Sequence, residues 1–179
     1  CELVIRIKPA GKIVVFEGVD GSGKSTIIRA AETELKKCFN KNFIKTYHLF
    51  PGSLQKKSIV LNPHNKKPYG FVKTILKDFY LLLKYWTGFL KIRKYLVKNG
   101  VVLIDRYYYD VIIDPLRFRL RKRAYRKLLM KIIPKPDIVI YCYGSAEDIY
   151  KRNKELLINE IEEQQKTIFE LAKSNNTWI

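Results

Sequence analysis

The chain has 179 residues, 47% of them hydrophobic, which suits one globular domain with its own core and excludes a disordered tract. Lysine and arginine number 35 against 17 acids, for a formal charge of +18. Such an excess favours an anionic partner (nucleotide phosphates, nucleic acid, a charged glycan or a membrane surface), unless an AT-rich genome has simply inflated the lysine count.

Residues 1–11 read as an extension or the leftover of a preceding domain, and 12–179 as one domain, with a chain that could continue past Ile179. Arg6 and Lys8 interrupt the apolar start, so no signal peptide is expected. Ile13–Glu17 is a short β-branched and aromatic run, the pattern of a buried parallel strand. A glycine-rich turn follows, and then Ser25–Phe39 carries Ile27, Ile28, Ala31 and Leu35 on one side of a helix. Phe43–Leu49 reads as a second strand, ended by Pro51-Gly52. Residues 52–70, with Pro63, His64 and Pro68, form a loop or a broken helix, and His64 is either a turn residue or an acceptor contact.

Residues 71–98 place Phe71, Ile75, Phe79, Leu82, Leu83, Trp86 and Leu90 at helical spacing, which predicts a long and largely buried helix closed by Asn99-Gly100. Trp86, Tyr80 and Tyr85 are accordingly read as core. Lys73, Lys77, Lys84 and Lys91 keep this helix from spanning a bilayer. Val101–Asp105 is another buried strand, ending in a carboxylate. The segment at about 115–135 is strongly basic, and from Arg117 to Lys135 it holds no acid. It is either a clamp for phosphates or a large anion, or a solvated helix face with Leu116, Leu120, Leu128, Leu129 and Ile132 beneath it.

Ile138–Tyr143 is a fourth strand, and Ser145 caps the helix after it, with Glu147 and Asp148 suiting its positive end. A polar helix covers roughly 159–173, and Thr177-Trp178-Ile179 looks like the start of a further strand. Cys1, Cys38 and Cys142 have no metal-ligand spacing, which fits a reducing compartment and a cytoplasmic location. Strands alternating with helices predict an α/β fold: a doubly wound parallel sheet flanked by helices, with ligands at the carboxyl ends of its strands.

Gly18-Val19-Asp20-Gly21-Ser22-Gly23-Lys24-Ser25 matches G-x-x-x-x-G-K-[ST] between a strand and a helix, where that motif cradles a nucleotide's polyphosphate. Gly18, Gly21, Ser22 and Gly23 let backbone N–H groups turn inward around the phosphates, and the helix N-terminus adds partial positive charge. Lys24 reaches the β- and γ-phosphates, the Ser25 hydroxyl ligates Mg2+, and Thr26 supports the same helix start. Asp105, at a strand end, is a second Mg2+ ligand, and Arg106 emerges beside it.

With these residues in place, the chain resembles the thymidylate kinase family of P-loop nucleoside monophosphate kinases. The likeness rests on Phe16–Thr26, Asp105-Arg106-Tyr107, Pro134–Tyr141 and Lys151-Arg152, in an order and spacing that cover most of residues 12–179. The resemblance implies transfer of the γ-phosphoryl group of ATP, with Mg2+, to a small acceptor. It implies that Asp20 faces the acceptor's sugar, that Arg106 clamps phosphates at the transfer point, and that Arg152 belongs to the lid or the adenine side. It also implies that Phe50 and Pro51 shape the acceptor pocket, beside Tyr107 or Tyr108. Members commonly pair through long helices, so 71–98 is a candidate dimer face.

The acceptor side departs from the family. Tyr108-Tyr109-Asp110 replaces its serine-containing segment, its base-binding arginine falls at Trp86, and residues 62–70 match nothing in it. A nucleoside monophosphate such as dTMP needs no general base, whereas a sugar or glycan hydroxyl needs one, with Asp20 the first candidate and Asp110 the weaker. A deoxynucleoside kinase would show a glutamate where His48-Leu49-Phe50-Pro51 stands. A nucleic-acid-end kinase rests on charge alone. A nucleotide-gated module without activity sits badly with the retention of Lys24, Ser25, Asp105 and Arg106.

Overall fold

The computed structural model describes residues 9–50, 67–174 and 176–179. In chain order the elements are β1 (Lys12–Glu17), α1 (Lys24–Cys38), β2 (Ile44–His48), α2 (Phe71–Leu96), β3 (Val101–Asp105), α3 (Asp110–Ile113), α4 (Arg126–Ile132), β4 (Ile138–Tyr141), α5 (Ala146–Arg152) and α6 (Ile158–Lys173). The described strands form one parallel sheet in the order β2-β3-β1-β4. Trp178 extends the β4 edge through an isolated parallel bridge to Val139, so residues 177–179 pair with the sheet where a strand was expected but do not form a strand of their own. Cys1, the Pro51-Gly52 turn and the 52–66 loop with His64 lie outside the described residues.

Strand alternation feeds two cores. Ile13, Val15, Val102, Ile104 and Val139 point to the face covered by α2, α5 and α6, where they meet Leu81, Tyr85, Ile92, Ile149, Ile161 and Ile168. Val14, Phe16, Val101, Leu103 and Ile140 point to the face covered by α1, where Ile28, Ala31 and Leu35 wait. Both faces are therefore apolar, which is why the strands read as continuous hydrophobic runs. Each fully buried Val, Leu or Ile contributes roughly 1.5–3 kcal/mol. At the end of α2, Asn99 takes a left-handed conformation (φ 58°) and the Gly100 N–H donates to Tyr95 O, as the Asn-Gly pair predicts. The Ser145 cap also forms, with Asp148 N–H donating to its Oγ at 3.2 Å.

The buried face of α2 is not the expected one. Phe71, Ile75, Phe79, Leu83, Trp86 and Leu90 are exposed, from 43% at Trp86 to 70% at Phe71, and Tyr80 is exposed as well. Leu82 is half-buried. The packed face is Thr74, Asp78, Leu81, Tyr85, Gly88, Ile92 and Leu96. Asp78 can lie there because Arg126 Nε donates to it at 2.8 Å, its Nη2 donates at 3.2 Å, and the Tyr125 hydroxyl donates too. The 115–135 segment is likewise not a single helix over a leucine stripe. It is a 3-10 turn at Pro115–Phe118 followed by α4, with Leu120 buried but Leu116, Leu128 and Ile132 exposed.

Candidate active site

The site forms at the carboxyl ends of β1, β2 and β3. After β1 the chain turns through Gly21 (φ 92°) and Gly23 (φ 91°), a left-handed conformation that glycine adopts without a Cβ penalty. α1 then starts at Lys24, so its unpaired N–H groups face the loop. Lys24 folds back over that loop, with Nζ donating to Gly18 O at 2.7 Å and Val19 O at 2.8 Å. Its side chain is buried, and burial followed by the charge of Arg106 lowers its pKa to about 8 against the pull of Asp20.

β3 supplies the facing wall. In the parallel register, His48 at the end of β2 lies opposite Asp105 at the end of β3. His48 Nδ1 sits 3.0 Å from Asp105 Oδ2, while the buried Asp105 Oδ1 has no hydrogen-bond partner among the described residues. Burial alone would raise the Asp105 carboxyl, but the hydrogen bond and charge of His48, with Arg106 and Lys24, hold it below its usual value. Arg106 follows in a left-handed conformation (φ 68°), its N–H tied to Phe16 O at 2.9 Å. Nearly buried, it donates to Asp110 Oδ2 at 2.7 Å through one Nη and to Asp20 through the other.

Arg117 approaches the same carboxylate from the Pro115–Phe118 turn and donates to the second oxygen of Asp20. Burial would raise the Asp20 carboxyl, yet Arg106, Arg117 and Lys24 outweigh it and hold the group far below the usual carboxylate range. Beneath them, Glu17 is fully buried. One of its oxygens accepts from Tyr107 N–H at 2.7 Å, and burial, with Asp110 nearby, pushes its pKa well up.

Together Asp20, Lys24, Ser25, Thr26, His48, Asp105, Arg106, Arg117 and Arg152 line a cavity of about 410 Å³, with Gly21 and Gly23 at its floor. Arg152 comes from the end of α5, on the β4 side, and reaches Gly21 O at 3.5 Å. A larger cleft of about 910 Å³ between α4 and α6 carries Lys127, Lys131 and Lys135 but has no part in this loop.

Most of the residues expected at the site are brought together, with exceptions. Tyr107 does not reach the cavity: it is buried against Tyr85, with its hydroxyl donating to Pro134 O at 2.7 Å. Tyr108 is fully buried too, and neither tyrosine lines this cavity. Phe50 packs on Tyr85 behind the site, and Pro51 lies outside the described residues. Gly18 and Ser22 shape the loop without lining the cavity, and Ser22 Oγ is buried with no hydrogen-bond partner among the described residues. Asp110 is consumed by Arg106. His48 and Asp114 were not anticipated, and Arg117 was anticipated only as one of a cluster. The signal for His48 was its place at a strand end level with Asp105.

A family model described as thymidylate kinase matches residues 16–176. The chain is 29% identical over 153 residues to the putative thymidylate kinase 251L of Invertebrate iridescent virus 6, covering 82% of this chain and 67% of that protein. Among solved structures it is similar in fold to thymidylate kinase from Ehrlichia chaffeensis (TM-score 0.65, 18% identity, 95% of this chain and 85% of that one). It is also similar to thymidylate kinase from Candida albicans (TM-score 0.63, 17% identity, 94% and 82%). The chain therefore belongs to the thymidylate kinase family and is an ATP-dependent kinase.

Proposed function

We propose that the chain passes the γ-phosphoryl group of ATP to a phosphate oxygen of a nucleoside monophosphate, with dTMP the first candidate. The observation that carries this reading is the convergence of Arg106, Arg117 and Lys24 on the single carboxylate of Asp20. Such a cluster suits phosphate oxygens. It also holds Asp20 well below the usual carboxylate range, which makes that carboxylate a poor proton acceptor for a hydroxyl. The oxyanion of a monophosphate attacks without a base, so the protein's work is positioning and charge neutralisation. Lys24 and the N–H groups at the start of α1 hold the donor phosphates, while Arg106 lies between donor and acceptor.

The donor set fits Mg2+. Asp105 offers a buried oxygen with no hydrogen-bond partner among the described residues, and the Ser25 hydroxyl lines the same cavity. These hard oxygens would hold Mg2+ together with substrate phosphates and water, and the ion would neutralise charge on the β- and γ-oxygens. His48 keeps the Asp105 carboxylate oriented for that role.

A homodimer and a cytoplasmic location belong to the same proposal. The dimer is supported by the exposed α2 stripe of Val72, Leu76, Phe79, Leu83, Trp86 and Leu90, which recurs at alternating steps of four and three residues. The location rests on the free thiols Cys38 and Cys142 and on the need for ATP. ADP release measured with dTMP, other nucleoside monophosphates, thymidine and free sugars tests the acceptor class. Turnover is expected with a monophosphate and not with thymidine; turnover with thymidine or a sugar alone overturns the reading.

A further inference from the structure

Two arginines meet at Asp20, and each is held from behind by its own acid. Arg106 is fixed by Asp110, four residues on. Arg117 is fixed by Asp114, three residues back: Oδ1 accepts from the Arg117 backbone N–H at 3.3 Å and Oδ2 from its Nε at 3.4 Å. The turn that carries Arg117 is itself locked. Pro115 and Asp114 are buried, Leu120 is fully buried, and Arg119 N–H and Leu120 N–H donate to Leu116 O and Pro115 O. Arg117 thus presents its terminal nitrogens to the cavity on a rigid support, with few rotamers left to lose when it binds.

The two outer arginines of the cavity meet different groups. Arg152 comes from the end of α5 and meets the backbone of the phosphate loop at Gly21 O. Arg117 comes from the connection that follows β3 and meets a side chain, the Asp20 carboxylate that it shares with Arg106. Arg117 therefore leaves the loop backbone, and the phosphates cradled there, to Lys24 and Arg152.

We infer that Arg117 is a binding residue for the phosphate of the acceptor, held in place by Asp114 as a positioning residue, and that with Arg106 it forms a two-arginine clamp. This rests on the proposed nucleoside monophosphate acceptor. The planar fork of each guanidinium matches phosphate oxygens, and Asp20 holds the two forks in register through its two oxygens.

Calorimetric binding of dTMP, thymidine and ATP to the parent protein and to Arg117→Ala, Arg117→Lys and Asp114→Asn tests the clamp without needing turnover. A charge-assisted pair of this kind corresponds to about a 10- to 100-fold loss of dTMP affinity in Arg117→Ala. Thymidine and ATP should change by less than about 3-fold, the reach of an exposed charge pair. Arg117→Lys should recover part of the loss. In Asp114→Asn the amide oxygen can keep the backbone cap while the partner of Nε is lost, so the KM for dTMP should rise with kcat little changed. A merely structural Asp114 would leave that split unmoved. The clamp is overturned if ATP affinity falls while dTMP affinity holds, if neither changes, or if the parent binds dTMP no better than thymidine. If dTMP binding depends on Arg117 but no phosphoryl transfer occurs, the proposed function fails and the clamp stands.

Discussion

Lys24 carries a positive charge in a place where water has been taken away from it. Burial and the neighbouring Arg106 lower its pKa to about 8, so the ammonium is present below that pH and is lost above it. The free protein should therefore bind ATP progressively more weakly as pH rises from 7 to 9. The loss should reach about 10-fold one unit above the midpoint if only the charged form binds. Lys24→Arg, charged throughout, should show a flat profile over that range; an equally steep profile in the variant would place the titration elsewhere. Lys24 was legible in the sequence because its motif spells out its neighbours. Arg117 was legible only as one cation among many, since nothing local marks it apart from the Asp114-Pro115 that begins its turn. Tyr107 shows the limit of adjacency: it follows a site arginine in sequence, but after that arginine's left-handed backbone its side chain packs into the core rather than lining the phosphate cavity.

Among elements, α2 shows where periodicity stops being informative. The helix carries two faces at helical spacing, and the more apolar one faces outward. What decides the packing is Asp78, whose partner Arg126 lies 48 residues later on α4 and is itself almost wholly buried. No local pattern announces such a pair. Asp78→Ala would leave the Arg126 charge buried without its carboxylate, a change that costs about 3–5 kcal/mol. For a chain of this size that is a fall in Tm of about 6–20 °C, measured by thermal unfolding. Replacing both partners by leucine and methionine should recover most of it, because the stranded charge is gone. A small effect in the single variant would mean that the pair is not closed in solution. The strands, by contrast, were read with little error. β1, β3 and β4 are largely β-branched runs bounded by turns and contribute to the cores on both faces, whereas the edge strand β2 is more mixed and only half-buried.

At the scale of the molecule, the parallel sheet brings the ends of β1, β2 and β3 to one edge, and the donor half of the site follows from that topology alone. The acceptor half was less legible, because its parts come from a turn, a neighbouring strand and a buried acid rather than from one motif. The outer face of α2 is the other whole-molecule feature. If a second copy covers it, Leu83→Glu should turn a dimer into a monomer in sedimentation while leaving the fold intact; an unchanged sedimentation coefficient would refute the pairing. The excess charge of +18 is only partly explained by the phosphate cavity, where Asp20, Asp105, Asp110 and Asp114 balance the cations. Incubation with ATP labelled at the γ-phosphate, in the presence of dTMP, should place the label in the terminal phosphate of a nucleoside diphosphate, as a phosphoanhydride. Lys24→Ala should abolish that product. Label found instead in a phosphomonoester on a sugar hydroxyl, or transferred equally well by Lys24→Ala, would contradict the account.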